Sequence, residues 1–598
     1  MARMSARNVF SMLEQTATRY GSQPALHQPG KPQHVYSWSE FLAIVKEVAA
    51  GLYRLGIRKG DICAAHSETR AEFYFADLGV MSLGAISAAL YTSYPAAQLV
   101  KSLRQSEAKL VFVENAKALH MLRDAGADAL SVQWVLLTGE AEDAITLDHL
   151  RHLGQRQLQE DAAFDASISS RTESTDHAIL YLTSGATGES KMCLVTHGAL
   201  TSNCAMGPKV VDLGPHDRVL AFLPSAHIAQ RIGIELLSIY CGVPTWFSEG
   251  LHRMPHEMQT LKPTFFLAPP RVWERIYSSV CTEIKKRGPA MQRVFWGALG
   301  LSLRAQRYRA EGKSVPGWMS AALKAADRVV FTKLRARFGG EMRFPVSGAA
   351  PLGKDLAHFY EAIGMPLHEG YGLTEAGVVS LNPLGHPRPG SIGRALPGIE
   401  CRIAEDGELL IGGPTLFSGY FRDPDATAQV LRDGWLHTGD LASQDADGFL
   451  SIIGRKKEMI VSSNGKKVYP SRIENLLKME SIFNQMILVG DRKPYVAALF
   501  TLNAAAAESL KGMEGRKGIP AKELADAVPV QAEVKRAVKK ANQQLGPFEQ
   551  IRKYRILDRD FTIEHGELTA TMKVRRTQVI EHFQHVINEI YSGREDGD

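Results

Sequence analysis

The feature that most constrains the fold of this chain is a regular alternation of helical and strand-like patterns up to about residue 345. In HVYSWSEFLAIVKEVAAGLYRLGIRKGD, a short strand-like stretch leads into an amphipathic helical stretch that Gly56 closes. The stretches ADLGVMSLGAISAAL and AKLVFVENAKALHML continue the alternation, and VQWVLLTG has the pattern of a short buried strand. Such alternation is typical of layered α/β folds with mostly parallel sheets.

The pattern changes from about residue 390 to 453, where helical periodicity gives way to short strand-like segments separated by Gly/Asp turns. The stretches SIGRALPGIECRIAEDGELLIGG and GWLHTGDLASQDADGFLSIIG show it most clearly, and they are typical of a small antiparallel barrel. After GRKKEM at 454–459, helical and strand-like patterns mix again.

At 598 residues the chain is too long for one compact core. We therefore predict the α/β class with two domains: a large N-terminal domain of layered α/β subdomains over 1–454, and a small mobile α+β C-terminal domain over 455–598. We place a β-barrel-like subdomain at about 380–453 and a hinge near 454–458.

The cysteines and the chain start bear on the compartment. Six cysteines are scattered without any CxxC pair, which argues against a zinc ribbon or a disulfide framework. The start, MARMSARNVFSMLEQ, lacks the apolar segment and cleavage site of a secretory signal. No apolar run approaches the roughly 18 residues that span a bilayer. We expect a cytoplasmic protein.

The net charge of +6 is modest for this length but unevenly spread. Residues 271–343 carry 16 Lys/Arg against 5 Asp/Glu in a helical-looking stretch. One interpretation is a solvated helix face. Another is peripheral contact with anionic lipid, because Trp296, Leu299, Leu301 and Leu303 lie close by. No nucleic-acid-binding motif accompanies the charge, so we expect no nucleic-acid partner.

Residues 181–197, YLTSGATGESKMCLVTH, place small, hydroxyl-bearing and glycine residues before one lysine. Glycines let backbone N–H groups approach an anion closely, and Lys191 adds a mobile positive charge. The stretch is not a Walker loop, because Gly185 and Gly188 are three apart and Lys191 follows three later. Taken alone, it is either a phosphate loop or a serine/glycine surface turn.

A second stretch, GAAPLGKD at 348–355, does match GxxxxGK. Asp355 stands where the Walker pattern has a metal-binding hydroxyl, and a carboxylate there repels phosphate unless a metal intervenes. We interpret the match as a coincidence.

Eight stretches then occur in a definite order: YLTSGATGESK, LPSAHIAQR, LAPPRVWERI, SGAAPLG, EGYGLTEAG, GWLHTGDL, GRKKEMIVSSNGKKVYPSRIE and GELTATMKVRR. Together they resemble the adenylate-forming superfamily, which includes acyl-CoA synthetases, nonribosomal adenylation domains and luciferases. The PRVWE stretch, the basic helical insertion after it and the LTATMKVRR ending are most similar to the bacterial long-chain fatty acyl-CoA synthetases. The resemblance runs from about residue 10 to 590.

The resemblance implies an enzyme that activates a long-chain fatty acid with ATP to an acyl-adenylate and then transfers the acyl group to coenzyme A. ATP, Mg²⁺ and coenzyme A are the implied small molecules. Two other readings stay open: a fatty acyl-AMP ligase that delivers to a carrier protein, and a weakly active or inactive binding protein. The second is motivated by Ala186, Ser190 and Met192, where the family usually has a hydroxyl, a proline and a glycine. An oligomer also stays open.

The resemblance assigns the phosphate end of the site to the loop from 183 to 191. Its members would cover the β and γ phosphates: Thr183, Ser184, Gly185, Ala186, Thr187, Gly188 and Lys191. Glu375 would bind Mg²⁺ together with Thr183, because hard cations prefer oxygen ligands. The alternative for Glu375 is a capping charge at a helix start.

The nucleoside end is assigned in the same way. Tyr371 would stack on adenine above the backbone edge of Gly348 and Ala349, and Thr374 would contact the α-phosphate. Asp440 would accept both ribose hydroxyls unless it is an ordinary turn aspartate.

Three further residues follow from the resemblance. Arg455 would reach the ribose or phosphate, and His227 would lie beside the carboxylate unless it is a satisfied core histidine. Lys573 would neutralise the transition state of adenylation. Its alternatives are its neighbours Arg575 and Arg576, or a plain exposed strand end.

Two residues are assigned to domain alternation. Lys457 matches the hinge position, and Gly465 would allow the pantetheine arm close backbone passage in the thioester-forming state. The stretch GIELLSIYCGVPTWF either lines an acyl tunnel or packs in the core.

Overall fold

The computed structural model describes residues 6–30, 33–184, 190–513, 518–569 and 571–592. It confirms the predicted α/β class, with a large N-terminal domain built on extended sheets and a smaller C-terminal domain.

The strands of the N-terminal domain are β1 Pro24–Gln28, β2 His34–Ser37, β3 Ile62–His66, β4 Ile86–Leu90, β5 Leu110–Val113, β6 Gln133–Leu136, β7 Ile145–Thr146, β8 His177–Ser184, β9 Ser190–Thr196, β10 Val219–Ala221, β11 Thr245–Phe247, β12 Phe265–Ala268, β13 Phe344–Ser347, β14 His368–Leu373, β15 Gly377–Leu381, β16 Arg394–Ala395, β17 Glu400–Ile403, β18 Glu408–Gly412, β19 Gly419–Tyr420, β20 Leu431–Arg432, β21 Trp435–Gln444 and β22 Leu450–Arg455. The C-terminal domain adds β23 Ile460–Val461, β24 Lys467–Val468, β25 Phe483–Val489, β26 Val496–Leu502 and β27 Ile551–Ile556.

The helices of the N-terminal domain are α1 Val9–Tyr20, α2 Trp38–Arg54, α3 Ala71–Ser82, α4 Ala96–Ser106, α5 Ala116–Asp124, α6 Leu147–Glu160, α7 Ala162–Ser167, α8 His197–Met206, α9 Ile228–Gln230, α10 Leu237–Cys241, α11 Met254–Leu261, α12 Pro270–Lys285, α13 Pro289–Ala310, α14 Gly317–Ala326, α15 Thr332–Arg335, α16 Lys354–Ala362 and α17 Pro424–Val430. Those of the C-terminal domain are α18 Pro470–Leu477, α19 Ala504–Glu508, α20 Ala521–Asp526, α21 Val528–Asn542, α22 Arg576–His582 and α23 Gln584–Tyr591.

Two sheets dominate the N-terminal domain. The nine-stranded sheet runs β16-β15-β14-β13-β12-β10-β11-β1-β2, and the eight-stranded sheet runs β19-β9-β8-β4-β3-β5-β6-β7. The central strands are parallel in both sheets, and antiparallel strands lie at the edges. One hydrophobic cluster joins residues from both sheets and the helices between them, as expected for strands covered on both faces.

Local signals explain why the predicted elements form where they do. α2 begins at a capping box in which Ser37 accepts from the Glu40 N–H and Glu40 accepts from the Ser37 N–H. Past its last turn, Gly56 takes a φ of 90°, which glycine adopts without the steric cost of a side chain.

The segment that we predicted to be barrel-like is divided between three sheets. Residues 377–395 extend the nine-stranded sheet, and β19 pairs with β9 of the eight-stranded sheet. The remaining strands form an antiparallel sheet in the order β17-β18-β21-β20, with β22 also paired to β21. The segment also contains helix α17, which our strand-only interpretation missed although Asp423 caps it and Pro424 begins it.

The C-terminal domain contains a three-stranded sheet, β25-β26-β27, with helices on both faces, and the separate pair β23-β24. Successive residues of β26 alternate between two hydrophobic clusters, with Val496 and Ala498 in one and Ala497 and Leu499 in the other. This period of two is what a strand with two buried faces requires.

The basic region 271–343 folds as the helical insertion from α12 to α15, with a π-helical turn at Asp327–Phe331. Its inner faces pack in a third hydrophobic cluster with β12 and α16. Across the described residues, no helix combines the length and apolar character needed to cross a bilayer.

Candidate active site

The site is built at the carboxyl ends of β13 and β14, where ligands typically bind to open parallel sheets. β14 and β15 form a tight hairpin whose turn holds Thr374 and Glu375. The Ala376 N–H donates to the Leu373 carbonyl at 3.1 Å, and Gly377 closes the turn with a φ of 69°. Both functional side chains are therefore carried on a rigid tip.

Asp440 lies on the long strand β21, directly opposite Arg455 on β22. Its side chain is almost fully buried, and Arg455 Nε donates to Oδ1 at 3.0 Å. The Tyr371 hydroxyl donates to Oδ2 at 2.6 Å. The structure thus brings three of the predicted nucleoside-binding residues into one hydrogen-bonded cluster.

The electrostatics of this cluster follow from burial and from the Asp440 charge. Burial raises the pKa of Tyr371 well above its ordinary value, and Asp440 adds to the effect. The Asp440 charge raises the pKa of Arg455, against the opposing effect of burial. Tyr371 is therefore a neutral donor and Arg455 a permanent cation.

Glu375 is linked to the phosphate loop through a residue that the sequence did not reveal. The Tyr420 hydroxyl donates to Glu375 Oε1 at 2.8 Å, and Lys191 Nζ lies 4.6 Å from the centroid of the Tyr420 ring. Tyr420 reaches this place because β19 pairs with β9, with Tyr420 opposite Cys193. Thr183 completes the group, because its hydroxyl donates to the Lys191 carbonyl at 3.1 Å.

The metal prediction rests on Glu375 and Thr183. No cluster of three His, Cys, Asp or Glu side chains suited to a metal occurs among the residues that the structure describes. One carboxylate near one hydroxyl nonetheless fits Mg²⁺, which commonly takes one or two carboxylates and completes its shell with substrate phosphates and water. The thiol of Cys193 lies beside both residues; burial and the charge of Glu375 raise its pKa well above the ordinary value, so it stays protonated.

Most of the predicted phosphate loop lies outside the described residues: Gly185, Ala186, Thr187 and Gly188. Ser184 ends β8, and Lys191 lies near the start of β9, so the hairpin brackets the loop. Met192 is part of β9, paired with Leu182 and buried. A side chain at this extended position carries no backbone strain, so the glycine usual in the family is not required here.

Lys573 is carried by a tight hairpin that a buried carboxylate anchors. Leu568 and Val574 form a bridge, and the Lys573 N–H donates to Thr569 Oγ1 at 3.1 Å. Below it, the carboxylate of Glu567 accepts two hydrogen bonds from Arg559, at 2.6 and 2.7 Å.

The hairpin carries Lys573 into the cleft beside the N-terminal residues. The side chain keeps solvent contact in the cleft while protein surrounds it on other sides, and this partial desolvation is the largest of the effects that together lower its pKa to about 8. The positive charge of Arg455 acts in the same direction as desolvation, whereas the charges of Asp440 and Glu375 oppose the shift. The predicted catalytic lysine and the predicted nucleotide-binding residues therefore act on one another.

His227 faces the same cleft. Its Nδ1 accepts from the Ala229 N–H at 3.1 Å, where it caps α9. Burial and the nearby Lys573 lower its pKa to about 3. A neutral imidazole whose Nδ1 is an acceptor carries its proton on Nε2, so His227 offers the cleft an uncharged donor.

The loop after β13 contains Gly348 and Ala349, and Ala349 takes a φ of 69°. Its far end is held by Glu369, whose carboxylate accepts from the Leu352 N–H at 2.9 Å. Burial raises the pKa of Glu369 to about 8 against this hydrogen bond. The stretch 348–355, which matched a Walker pattern, is thus a loop that a hydrogen bond to the buried Glu369 carboxyl group fixes in place.

The two residues assigned to domain alternation lie apart from the cluster. Lys457 is exposed in the turn after β22, and Gly465 takes a φ of 77° in the hairpin between β23 and β24. Within the described part of the chain, neither shares a hydrogen bond or ion pair with the cluster residues. Lys456, which precedes Lys457, forms ion pairs with Asp406 and Glu408 of the N-terminal domain.

Sequence reasoning missed Tyr420, Glu369 and Glu567. A buried glutamate has no periodic signature of its own, and Tyr420 lies in a strand of two residues. Their partners do not follow a helical or strand period: Glu375 lies 45 residues from Tyr420, Leu352 lies 17 from Glu369 and Arg559 lies 8 from Glu567.

Comparison with protein families gives two matches that together cover most of the chain. The AMP-binding enzyme model matches residues 13–421, and the model of the AMP-binding enzyme C-terminal domain matches residues 457–595.

Relatives and solved structures agree with those matches. The chain is 36% identical over 556 residues to the long-chain-fatty-acid–CoA ligase FadD15 of Mycobacterium tuberculosis. The aligned region covers 92% of this chain and 91% of the relative. It is 27% identical over 623 residues to the long-chain-fatty-acid–CoA ligase ACSBG2 of Rattus norvegicus, covering 97% and 92%.

Two crystal structures share the fold. The anthranilate CoA ligase AuaEII in complex with anthranoyl-AMP has a TM-score of 0.74 at 18% identity, covering 97% of this chain and 98% of that one. The adenylation domain of a carboxylate reductase from Mycobacterium chelonae has a TM-score of 0.75 at 20% identity, covering 98% and 92%.

Proposed function

The chain belongs to the AMP-binding enzyme family, and on this premise we propose that it ligates a long-chain fatty acid to coenzyme A with conversion of ATP to AMP and diphosphate. The identity to FadD15 over nine-tenths of both chains supports this substrate class. The observation that carries the chemistry is that Lys573 lies close enough to Arg455, Asp440 and Glu375 for their charges to act on it, while Arg455 is itself paired with Asp440.

In the first step, a fatty carboxylate oxygen attacks the α-phosphorus of ATP and diphosphate leaves. Two anions must approach each other, so the protein has to supply positive charge and fixed donors. Lys573 would neutralise charge that develops between the carboxylate and the α-phosphate, and the Nε2–H of His227 would donate to the same region. Thr374 would contact the α-phosphate from the hairpin tip.

The nucleoside would be held by the cluster around Asp440. The Tyr371 ring would stack on adenine over the backbone of Gly348 and Ala349, and the Asp440 carboxylate would accept the ribose hydroxyls. Asp440 can do so while it keeps its present partners, because an ionised carboxylate has about four acceptor sites. Arg455 would hold the carboxylate and reach toward the ribose or phosphate.

The phosphate tail would be held by the loop of residues 183–191 with Lys191. Glu375 and Thr183 would hold Mg²⁺, which screens the phosphate charges when bound. Tyr420 keeps the Glu375 carboxylate oriented toward this loop through its hydrogen bond.

In the second step, the thiol of coenzyme A attacks the acyl carbonyl and AMP leaves. Lys573 and the pantetheine arm need the same space, so the C-terminal domain would rotate at a hinge near 454–458 that includes Lys457. Gly465, in its exposed hairpin, would then line the pantetheine path. The 1–454 and 455–598 division follows from this proposal.

Thioester formation across acids of different chain length tests the proposal. We expect AMP release that depends on both a long-chain acid and coenzyme A, and acyl-CoA as the product. Lys573→Ala should slow acyl-adenylate formation about 100-fold or more while it leaves the conversion of supplied acyl-adenylate to thioester nearly intact.

The same assay separates the alternatives. Acyl-adenylate and diphosphate without any CoA thioester would favour delivery to a carrier protein. ATP binding without turnover of any acid would favour the inactive binding protein, and either result would overturn the ligase assignment.

We also propose peripheral membrane contact through the helical insertion 271–343. Leu299, one of the residues on which the expectation rested, is buried in the third hydrophobic cluster. The support is instead exposed apolar surface beside exposed basic residues: Trp318 is 63% exposed, Met291 53% and Val329 55%. Apolar side chains with flanking cations are what an interfacial surface uses.

Sedimentation with phosphatidylglycerol vesicles tests this contact. We expect binding at low salt that weakens at high salt and in Trp318→Ser. Leu251→Ser, a change at an exposed apolar residue outside the insertion, is the matched control. Equal absence of the protein from anionic and neutral vesicles at low salt would contradict the proposal.

A further inference from the structure

Arg271 connects the N-terminal domain to the hairpin that carries Lys573. It is the second residue of α12, which starts just after β12 ends. Its Nη1 donates to the carbonyl oxygen of Met572 at 3.3 Å, and its Nη2 donates to Asn484 Oδ1 at 3.2 Å. Both acceptors belong to the C-terminal domain, so one half-buried guanidinium holds two points of it.

The hydrogen bond to the Met572 carbonyl acts directly on the backbone of Lys573. It belongs to the same peptide group as the N–H of Lys573, and that N–H donates to Thr569 Oγ1 at 3.1 Å. This peptide is therefore fixed at its oxygen by Arg271 and at its nitrogen by the hairpin itself. Because a peptide group is planar, these two bonds set the direction in which the Lys573 side chain leaves the backbone.

The hairpin needs such support because its backbone is unusual. Met572 takes a φ of 62°, a left-handed conformation that residues other than glycine rarely adopt. The Met572 N–H donates to the Thr569 carbonyl at 2.8 Å, which holds the turn from within. A contact from outside the hairpin helps to keep this turn populated.

The second acceptor ties the contact to the rest of the domain. Asn484, on β25, accepts from Arg271 and donates through Nδ2 to Asp560 Oδ2 at 2.8 Å. Asp560 precedes the hairpin in the chain. Arg271 thus holds the sheet and the hairpin of the C-terminal domain together against α12.

We propose that Arg271 is a positioning residue for Lys573, which stabilises the domain orientation in which the acid is adenylated. The inference rests on the proposed function and extends it. When the C-terminal domain rotates for the thioester step, the two hydrogen bonds are lost, so Arg271 favours the first half-reaction alone. A lysine cannot replace it, because one ammonium lacks the planar fork that reaches both acceptors.

The two half-reactions, measured separately in the full-length protein, test this role. We expect Arg271→Ala to slow acyl-adenylate formation, followed by ATP–diphosphate exchange, at least tenfold. Conversion of supplied acyl-adenylate and coenzyme A to thioester should stay within about twofold of wild type. Arg271→Lys should remain impaired, and Asn484→Ala should show a smaller loss in the same direction.

Arg275→Ala is the matched control, because Arg275 is an exposed residue of the same helix. It removes an equal charge and should leave both half-reactions unchanged. A loss in the control as large as that of Arg271→Ala would assign the effect to general charge and overturn the proposal.

A second readout does not depend on turnover. In the presence of ATP and Mg²⁺, the backbone amides of residues 571–575 should exchange with deuterium faster in Arg271→Ala than in wild type. The proposal fails if exchange is unchanged, if adenylation proceeds at the wild-type rate, or if a folded Arg271→Ala loses both half-reactions equally. If wild type ligates no acid, the proposed function fails, and the exchange experiment alone decides whether Arg271 holds the hairpin.

Discussion

The hydroxyl of Tyr371 donates a 2.6 Å hydrogen bond to Oδ2 of Asp440. These residues come from different sheets: Tyr371 from the parallel-rich sheet and Asp440 from the antiparallel one. Arg455 engages the other carboxylate oxygen at 3.0 Å. Asp440 is therefore held in one orientation by a group at each carboxylate oxygen. The side chain then loses less conformational entropy when it binds a diol.

Asp440→Asn is predicted to weaken use of ATP. The amide keeps the shape of the side chain but loses the charge that strengthens its hydrogen bonds to Arg455 and to a ribose. We expect kcat/KM for ATP to fall roughly 10- to 100-fold, measured by steady-state kinetics. Asp433→Asn, an exposed turn residue with a φ of 49°, is the control. An unchanged kcat/KM for ATP would contradict the assigned role.

Adenylation is predicted to depend on pH through Lys573. Partial desolvation by the surrounding protein and the Arg455 charge lower its pKa from 10.5 to about 8. The protonated form is the active one, so the adenylation rate should fall as pH rises through about 8. Arg455→Gln removes the repelling charge, so the fall in rate should occur at a higher pH. ATP–diphosphate exchange between pH 6 and 10 measures this. If the rate falls at the same pH in Arg455→Gln as in wild type, the charge of Arg455 does not set the pKa of Lys573.

Glu567→Gln is predicted to destabilise the C-terminal domain in a pH-dependent way. Burial raises the pKa of Glu567, but the hydrogen bonds from Arg559 and His582 outweigh it and lower the value to about 2. This stabilisation is fully present above the ordinary value of 4.5 and is lost between pH 4.5 and 2. We expect the variant to lose about 2 kcal/mol of unfolding free energy at pH 7.

Urea unfolding at pH 7 and pH 3 measures this loss. The difference in unfolding free energy between wild type and Glu567→Gln should be smaller at pH 3 than at pH 7. The control Glu564→Gln, at an exposed residue, should match wild type at both pH values. A gap that is equal at the two pH values would contradict the ion-pair origin.

Glu235→Gln is predicted to stabilise the protein at alkaline pH. Glu235 is fully buried in the π-helical turn Arg231–Leu236, and neither of its carboxylate oxygens has a hydrogen-bond partner among the described residues. Burial raises its pKa to about 8 against the charge of Arg231. The folded state holds this proton between pH 4.5 and 8 while the unfolded state does not, so wild-type stability falls as pH rises through that window.

Thermal unfolding at pH 5 and pH 8 tests this effect. At pH 8 the variant should unfold about 2–4 °C above wild type, with little difference at pH 5. If the variant is less stable than wild type at both pH values, the Glu235 carboxyl group makes a stabilising contact, and the prediction is wrong.

Several elements of the fold were predictable because their signals are local. The helix α2 has its capping box and closing glycine within one continuous stretch, and β26 is marked by the nearly continuous apolar run VAALFTL. The division of residues 377–455 among three sheets was not predictable. Short strands such as β19 carry no information about their partners, and pairing is chosen by the packing of the whole domain.

The site divides in the same way. The family resemblance that eight ordered motifs carry identified Lys573, Asp440, Glu375, Tyr371 and Arg455 as candidates, because the motifs are present in the chain itself. That Tyr420 links Glu375 to Lys191, and that Arg271 holds the peptide of Lys573, was decided by tertiary structure alone. Such contacts join residues far apart in the chain, and only the packing of sheets and domains brings them within hydrogen-bonding distance.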